Sequence, residues 1–403
     1  MTEKLYQADS CLLAFRATVT RVEDAGDGKT RVYLDRTAFY PESGGQPADA
    51  GTLGGFTVLD VGETDAGEVF HLLEGGGPAP GAAVEGRVDA ARRFDHMQQH
   101  SGQHILSAAF WAGGAFRTVG FHLGADAATI DLSPPTATPC QVDAAFDAAN
   151  AVVWEDRPVS VSCHDKAETA ELGLRKPTVR EGLIRVVTVA DCDRSACGGT
   201  HVRRTGEVGM IAFLRSEKLK DKLRIHFACG GRAHRRFRAE HRVISDLCAL
   251  TTTGVPELVQ RVKSLQTDVK ALEREAGRLK GEILKSGVPR LLAEAVKVGP
   301  AAVVICALDE PSAQAQALCR ALLEAGRLVA AVVGSSRDGT LFLGRTPDLS
   351  PDLTRLAAAL RERFSGKGGG RPDLAQVGSL DPGRLGEALT YCGEWLGREI
   401  GTP

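Results

Sequence analysis

Two residue pairs carry the chemistry this chain offers. His100 and His104 lie four apart in a segment from about Arg92 to Ala112 that lacks proline and carries Phe94, Met97, Ile105, Leu106 and Phe110. That pattern predicts a helix, and four residues on a helix is about one turn, so both imidazoles leave one face. Cys197 and His201 repeat the separation, with Gly198 and Gly199 between them. The glycines predict a turn that folds both side chains toward one point. Together the pairs offer three imidazole nitrogens and one thiolate, a donor set that matches a tetrahedral zinc ion, expected at one Zn2+ per chain.

Each pair alone has an ordinary explanation. A His pair at helical spacing is commonly a surface or core pair, and a lone Cys is commonly a small buried apolar group. Two pairs with the same separation and compatible donors point instead to a shared ligand. His96, one turn before His100, is expected behind the ligands, with an exchange of roles left open. Ser101 stands where a metalloprotease helix carries its glutamate base, which disfavours peptide hydrolysis of that type.

The elements that must position these residues are spread over 403 residues, enough for roughly two to four domains. Hydrophobic residues at 43% and charged residues at 25% are ordinary for a globular chain, and the formal charge of −2 by itself says little about an anionic partner. The distribution is uneven: Arg203 to Arg242 holds 12 Lys/Arg against 4 Asp/Glu. This local excess makes Arg235, Arg236 and Arg238 candidates for an RNA path, against the alternative of a solvated face. Ten scattered cysteines and an opening unlike a signal peptide predict reduced thiols in the cytoplasm. No run approaches the ~18 apolar residues of a membrane span.

The expected class is α+β multidomain. Short alternating segments with glycine-rich turns predict a small β-barrel over residues 1–90. Residues 91–250 read as an α+β zinc-bearing domain, with Thr118–Gly124 and Ala128–Leu132 as a strand pair on which His122 and Thr129 face either the pocket or solvent. Leu258, Val262, Leu265, Val269, Leu272, Ala276, Leu279 and Ile283 step by four and three, predicting a coiled-coil helical linker over 251–288, or one long helix laid on a neighbour. Residues 289–403 read as a separate α/β domain. Its Gly366–Gly378 run is expected to present consecutive N–H groups, with Lys367 and Arg371 beside them, to a phosphate. The spacing is not that of a Walker loop.

Three runs in order, Phe39–Asp49, Asp95–His104 and Cys197–Val202, resemble the editing domain of alanyl-tRNA synthetase and its freestanding relatives, the AlaX editing proteins, best in their long form. The C-terminal run resembles the DHH-associated domain of that synthetase. The resemblance spans nearly the whole chain. It implies zinc-dependent hydrolysis of the ester joining a wrong amino acid, serine first and glycine second, to alanine tRNA, with no membrane partner. It also implies that the backbone around Ser43, Gly44, Gly45 and Gln46 approaches the RNA acceptor end, where the residues alone equally allow a turn between strands. The C-terminal domain would then serve tRNA binding or a homodimer. Gln103, beside ligand His104, is the first choice to recognise a serine hydroxyl, followed by Thr200 and His122. The synthetase carries Gln-Lys-Gly-Ser near the place of Phe121–Gly124, a departure that leaves the pocket residues open. Two alternatives stand beside this reading: an RNA-binding protein with a structural zinc, and an editing hydrolase of the threonyl system. A complete synthetase is disfavoured because the motifs begin near residue 39.

Overall fold

The computed structural model describes residues 2–178 and 182–401 and divides into two compact units, 1–246 and 247–403. In the first, β1 (Ala14–Gly26), β2 (Lys29–Leu34), β3 (Gly51–Leu53), β4 (Phe56–Glu63), β5 (Val69–Glu74) and β6 (Ala83–Val88) close into an antiparallel barrel ordered β1-β2-β5-β4-β3-β6. Along β1 and β6 buried residues alternate with exposed ones, putting Phe15, Ala17, Val19, Val84 and Val88 inside. Closure leaves no unpaired sheet edge.

One barrel side chain is a stability switch. The ring of His71 is fully buried, with Nδ1 3.1 Å from the Val32 carbonyl and Nε2 2.8 Å from Thr37 Oγ1. A carbonyl only accepts, so Nδ1 carries the proton and Nε2 accepts from the threonine hydroxyl. Burial pushes the His71 pKa down to about 4. The unfolded chain, with a histidine near ~6.5, therefore takes up the proton first, and stability present above that pH is lost as pH falls toward 4, by roughly 3 kcal/mol. His71→Gln is expected to flatten this acid loss. Urea unfolding at pH 7 and pH 4.5 checks it, and an identical pH dependence in the variant would refute it.

Helix α1 (Ala90–Gly114) starts where the Asp89 carboxylate accepts from the Ala91 and Arg92 amides at 2.9 and 3.1 Å. Its first turn is bolted to the barrel by Arg93, a fully buried guanidinium that donates to both oxygens of buried Asp49 and to the carbonyls of Ser10 and Ala38. The barrel region 1–90 and the region that follows it thus share one compact unit. Removing either partner of such a pair strands a buried charge. Met97, Ile105, Leu106 and Phe110 of α1 join the core made by β7 (Arg117–Leu123), β8 (Ala128–Ser133), α2 (Pro139–Trp154), β12 (Ile211–Lys218) and β13 (Leu223–Cys229), a sheet ordered β12-β13-β8-β7 with α1 and α2 packed together. A second antiparallel sheet is formed by β9 (Val159–His164), β10 (Ile184–Val189) and β11 (Asp193–Ala196), and it delivers the chain to Cys197.

Helix α3 (Gly230–Thr251) holds the boundary between the units, and α4 (Leu258–Ser286) follows with no buried residue. Beyond them β14 (Val296–Val298), β15 (Ala301–Leu308), β16 (Val329–Ser335), β17 (Thr340–Arg345), β18 (Lys367–Arg371) and β19 (Leu374–Gly378) form a mixed sheet ordered β14-β15-β16-β17-β19-β18. Here the structure corrects the expected phosphate loop. Gly368–Gly370 lie in a hairpin strand, so their amides alternate in a ladder rather than converging. A Cβ on Gly368 or Gly370 would fall 2.2 or 2.3 Å from the Gln376 or Leu374 carbonyl, so glycine serves close backbone approach there. Lys367 is exposed at one end of that strand, and Arg371 at the other pairs with Asp373 at 3.6 Å.

Candidate metal centre and its cavity

The four predicted donors meet. Ligand-capable atoms of His100, His104, Cys197 and His201 all lie within 4.8 Å of one another. Cys197 Sγ is 3.3 Å from Nε2 of His100 and 3.3 Å from Nε2 of His201. Each imidazole is held by its other nitrogen: His100 Nδ1 lies 2.7 Å from Gln46 Oε1, His104 Nδ1 2.8 Å from Asp193 Oδ2, and His201 Nδ1 3.1 Å from Ser101 Oγ. Partners of this kind fix ring orientation and tautomer, leaving Nε2 for a metal.

The glycine turn is equally specific. A Cβ on Gly199 would fall 2.2 Å from His100 Cε1, so no side chain fits where the turn passes the ring. The Gly199 amide donates toward Cys197 Sγ at 3.4 Å, and Arg185 Nη1 donates to the carbonyls of Cys197 and Gly199 at 2.8 and 3.0 Å.

The electrostatics suit a cation. Burial opposes ionisation of the Cys197 thiol, yet the imidazoles of His100 and His201 bring its pKa well below the ordinary value. Burial pushes His201 down to about 3, so its lone pair is free at neutral pH. Burial also works against the His104 imidazolium, but the Asp193 and Cys197 hydrogen bonds overcome it and hold the pKa up at about 9. A metal held there would displace a proton from His104, so its binding would tighten as pH rises toward that value. This set of three nitrogens and one sulfur, with thiolate favoured and every Nδ1 anchored, fits zinc.

The cluster borders an open cavity of about 720 Å³ that His100, His104, Cys197 and Gln103 line together with Ser43, Gly44 and Phe121. Phe121 stacks on His100 with centroids 5.1 Å apart. Several expectations are corrected. Gln46 is fully buried and clamps His100 and Thr200, so it cannot reach an RNA. Gly45 lies against the Phe121 carbonyl rather than lining the cavity. Thr200 is also fully buried, its hydroxyl 2.9 Å from Gln46 Nε2, outside the cavity lining. His122 and Thr129 do not line it either: they pair across the β7–β8 ladder, and strand alternation sends Phe121 toward His100 and its neighbour to the other face. His96 is buried, has no partner for Nδ1 among the described residues, and takes no part in the cluster.

The basic stretch is less basic in space than in sequence. Arg203 pairs with Asp9, Arg204 with Asp156, Arg224 with Asp131, and Arg232 with Asp95, carboxylates that lie outside the stretch. Arg235 also approaches Asp95, at 3.8 Å, and Arg236 pairs with Glu240 at 2.5 Å. Arg238 is exposed and has no carboxylate partner among the described residues.

A closed barrel joined to an α+β unit that carries a buried three-histidine, one-cysteine metal-type centre at the wall of an open cavity defines the class of protein. The family model described as the threonyl and alanyl tRNA synthetase second additional domain matches residues 184–226, which include Cys197 and His201. The chain is 32% identical to the Pyrococcus horikoshii alanyl-tRNA editing protein AlaX-L, over 93% of this chain and 94% of that one. It is 31% identical to the Mus musculus alanyl-tRNA editing protein Aarsd1, over 97% and 98%. Identity to the alanine–tRNA ligase of Halobacterium salinarum is 34%, over 98% of this chain but only 44% of the ligase. Among solved structures, the C-Ala domain of Aquifex aeolicus alanyl-tRNA synthetase aligns with 27% of this chain and 98% of its own at 18% identity and a TM-score of 0.24. The chain belongs to the AlaX family of alanyl-tRNA editing proteins.

Proposed function

We propose that this chain is a zinc-dependent hydrolase that removes the wrong amino acid from mischarged alanine tRNA, seryl-tRNA first and glycyl-tRNA second. The observation that carries this is the cluster's position: three of its four donors, His100, His104 and Cys197, line an open cavity. Four protein donors also suit a structural ion, the alternative of an RNA-binding module, but such an ion needs no cavity beside it. When bound, zinc there supplies a Lewis acid for an ester carbonyl or lowers the pKa of water.

The remaining work falls to the chain. Gln103 Nε2 donates to Ser107 Oγ at 2.8 Å, and Thr118 Oγ1 lies 2.8 Å from the same oxygen. With its amide nitrogen tied to Ser107, Gln103, a residue of the cavity lining, keeps Oε1 as an acceptor suited to a serine hydroxyl. Such a site discriminates where an alanine pocket fails, since one small group is worth only ~1–3 kcal/mol in apolar binding. Zinc-loaded protein is expected to deacylate seryl-tRNA at least tenfold faster than alanyl-tRNA and to lose activity to a chelator. Equal rates on the two esters, or chelator-insensitive activity, would overturn the reading; faster clearance from threonine tRNA would favour the threonyl system.

The tRNA contacts in this reading are Ser43 and Gly44 at the cavity and the exposed Arg235, Arg236 and Arg238 on α3, with Lys367 and Arg371 of the second unit as a separate contact. The α4 face pairs two chains: Val262, Val269 and Ile283 at one core position and Leu258, Leu265, Leu272 and Leu279 at the other form the pattern of a two-stranded coiled coil. Leu272 is 68% exposed and Ile283 70%, far more than a finished core leaves. Arg235→Ala, Arg236→Ala and Arg238→Ala together are expected to weaken tRNA binding and flatten its salt slope by ~0.7 log units per lost phosphate contact, and Leu265→Asp with Leu272→Asp to halve the sedimenting mass. Filter binding across a salt series and analytical ultracentrifugation test these, and parental values in both would refute the assignment.

A further inference from the structure

Among the described residues, three Lys or Arg side chains line the cavity, and two of them are committed to carboxylates. Lys4 Nζ lies 2.6 Å from Glu63 Oε1, and Arg175 Nε lies 2.7 Å from Asp193 Oδ1. Lys176 alone has no carboxylate partner among the described residues. Its position is nevertheless held. The Arg175 amide donates to the Arg194 carbonyl at 2.9 Å, and Arg175 Nη2 donates to Ser195 Oγ at 3.1 Å, pinning the backbone just before Lys176 to strand β11. Asp193, on that strand, accepts from Arg175 through one oxygen and from His104 through the other. The backbone that carries Lys176 and the metal-type cluster are therefore tied to each other through one carboxylate.

We propose that Lys176 receives the phosphodiester of the terminal nucleotide of the aminoacyl-ester substrate, and that Arg175 is the residue that positions it. This deepens the hydrolase reading and rests on it. The scissile ester sits on the terminal ribose, and the phosphate on the other side of that ribose is the nearest fixed anion. When the ester lies at the cluster, that phosphate falls toward the cavity wall, where Lys176 is the uncommitted cation among the described residues. An ammonium on a flexible stem suits the task, because it meets a phosphate as a point charge without a fixed fork geometry. Arg175 is less suited to the task, since its Nε and Nη2 already donate to Asp193 and Ser195.

The test compares two small esters on full-length, zinc-loaded protein: the seryl ester of adenosine 5′-monophosphate at its ribose 2′/3′ hydroxyls, and the same ester of adenosine. Wild-type protein is expected to prefer the phosphorylated ester about tenfold in kcat/KM, chiefly through KM, the size of one charge-assisted contact. Lys176→Met removes the preference and Lys176→Arg keeps most of it. Arg175→Met lowers the preference through KM, whereas a merely structural role would lower kcat/KM for both esters equally. A preference that survives Lys176→Met, or wild-type protein that cleaves seryl-tRNA but treats the two small esters alike, overturns the proposal. Wild-type protein that cleaves neither seryl-tRNA nor either ester overturns the hydrolase reading itself.

Discussion

Replacing Cys197 and His201 together by alanine is expected to take zinc from about one ion per chain to near zero and to lower deacylation by about 10³-fold. The double change removes the thiolate and one imidazole from a four-donor set whose members lie within 4.8 Å of one another. Two imidazoles on one helix face remain, too few for a tetrahedral soft site. Losing the ion's polarisation of an ester or water is worth several kcal/mol, and each 1.36 kcal/mol is tenfold in rate, hence about 10³. The Cys197 turn lies outside the apolar core that packs α1 against its sheet, so a folded variant is expected. Elemental analysis beside a circular-dichroism melt makes the measurement. Unchanged metal content in a folded double variant would show that the four residues do not share an ion.

Asp193→Asn is expected to weaken zinc binding by roughly 10–100-fold, the range for partners that orient metal-bound histidines. Asp193 has a fully buried side chain and accepts from His104 Nδ1, Arg175 Nε and Ser195 Oγ. Burial alone would raise its pKa, but the His104 bond and the two nearby cations hold the carboxyl well below the usual range, so it stays charged at every working pH. Asparagine keeps the shape while losing the charge, and it must turn an N–H toward either His104 or Arg175, both of which donate. His104 then loses the acceptor that sets its tautomer, and Arg175 the anchor that holds the cavity rim. A competition titration against a chelator of known affinity reads the change. Wild-type affinity in the variant would mean that Asp193 merely fills space.

The donor set of this protein is determined by local spacing. Four residues on a proline-free helix put His100 and His104 on one face whatever surrounds them, and two glycines between Cys197 and His201 permit a tight turn. The barrel strands and the long helix α4 follow from periods of two and of three to four in the same way. Tertiary structure decided everything that holds or surrounds those donors. Gln46, Asp193 and Ser101 meet their histidines across 54, 89 and 100 residues of chain. No period links residues so far apart, and the nearest sequence signal, Ser101 in place of a catalytic glutamate, marked only what the site was not. The family resemblance implies that the backbone around Gln46 approaches RNA. In the fold its amide is spent between His100 and Thr200, because a buried imidazole N–H must find an acceptor. Likewise the positive charge from Arg203 to Arg242 is a property of the sequence. Its neutralisation by Asp9, Asp95, Asp131 and Asp156 comes from folding, which brings distant carboxylates within a few ångströms.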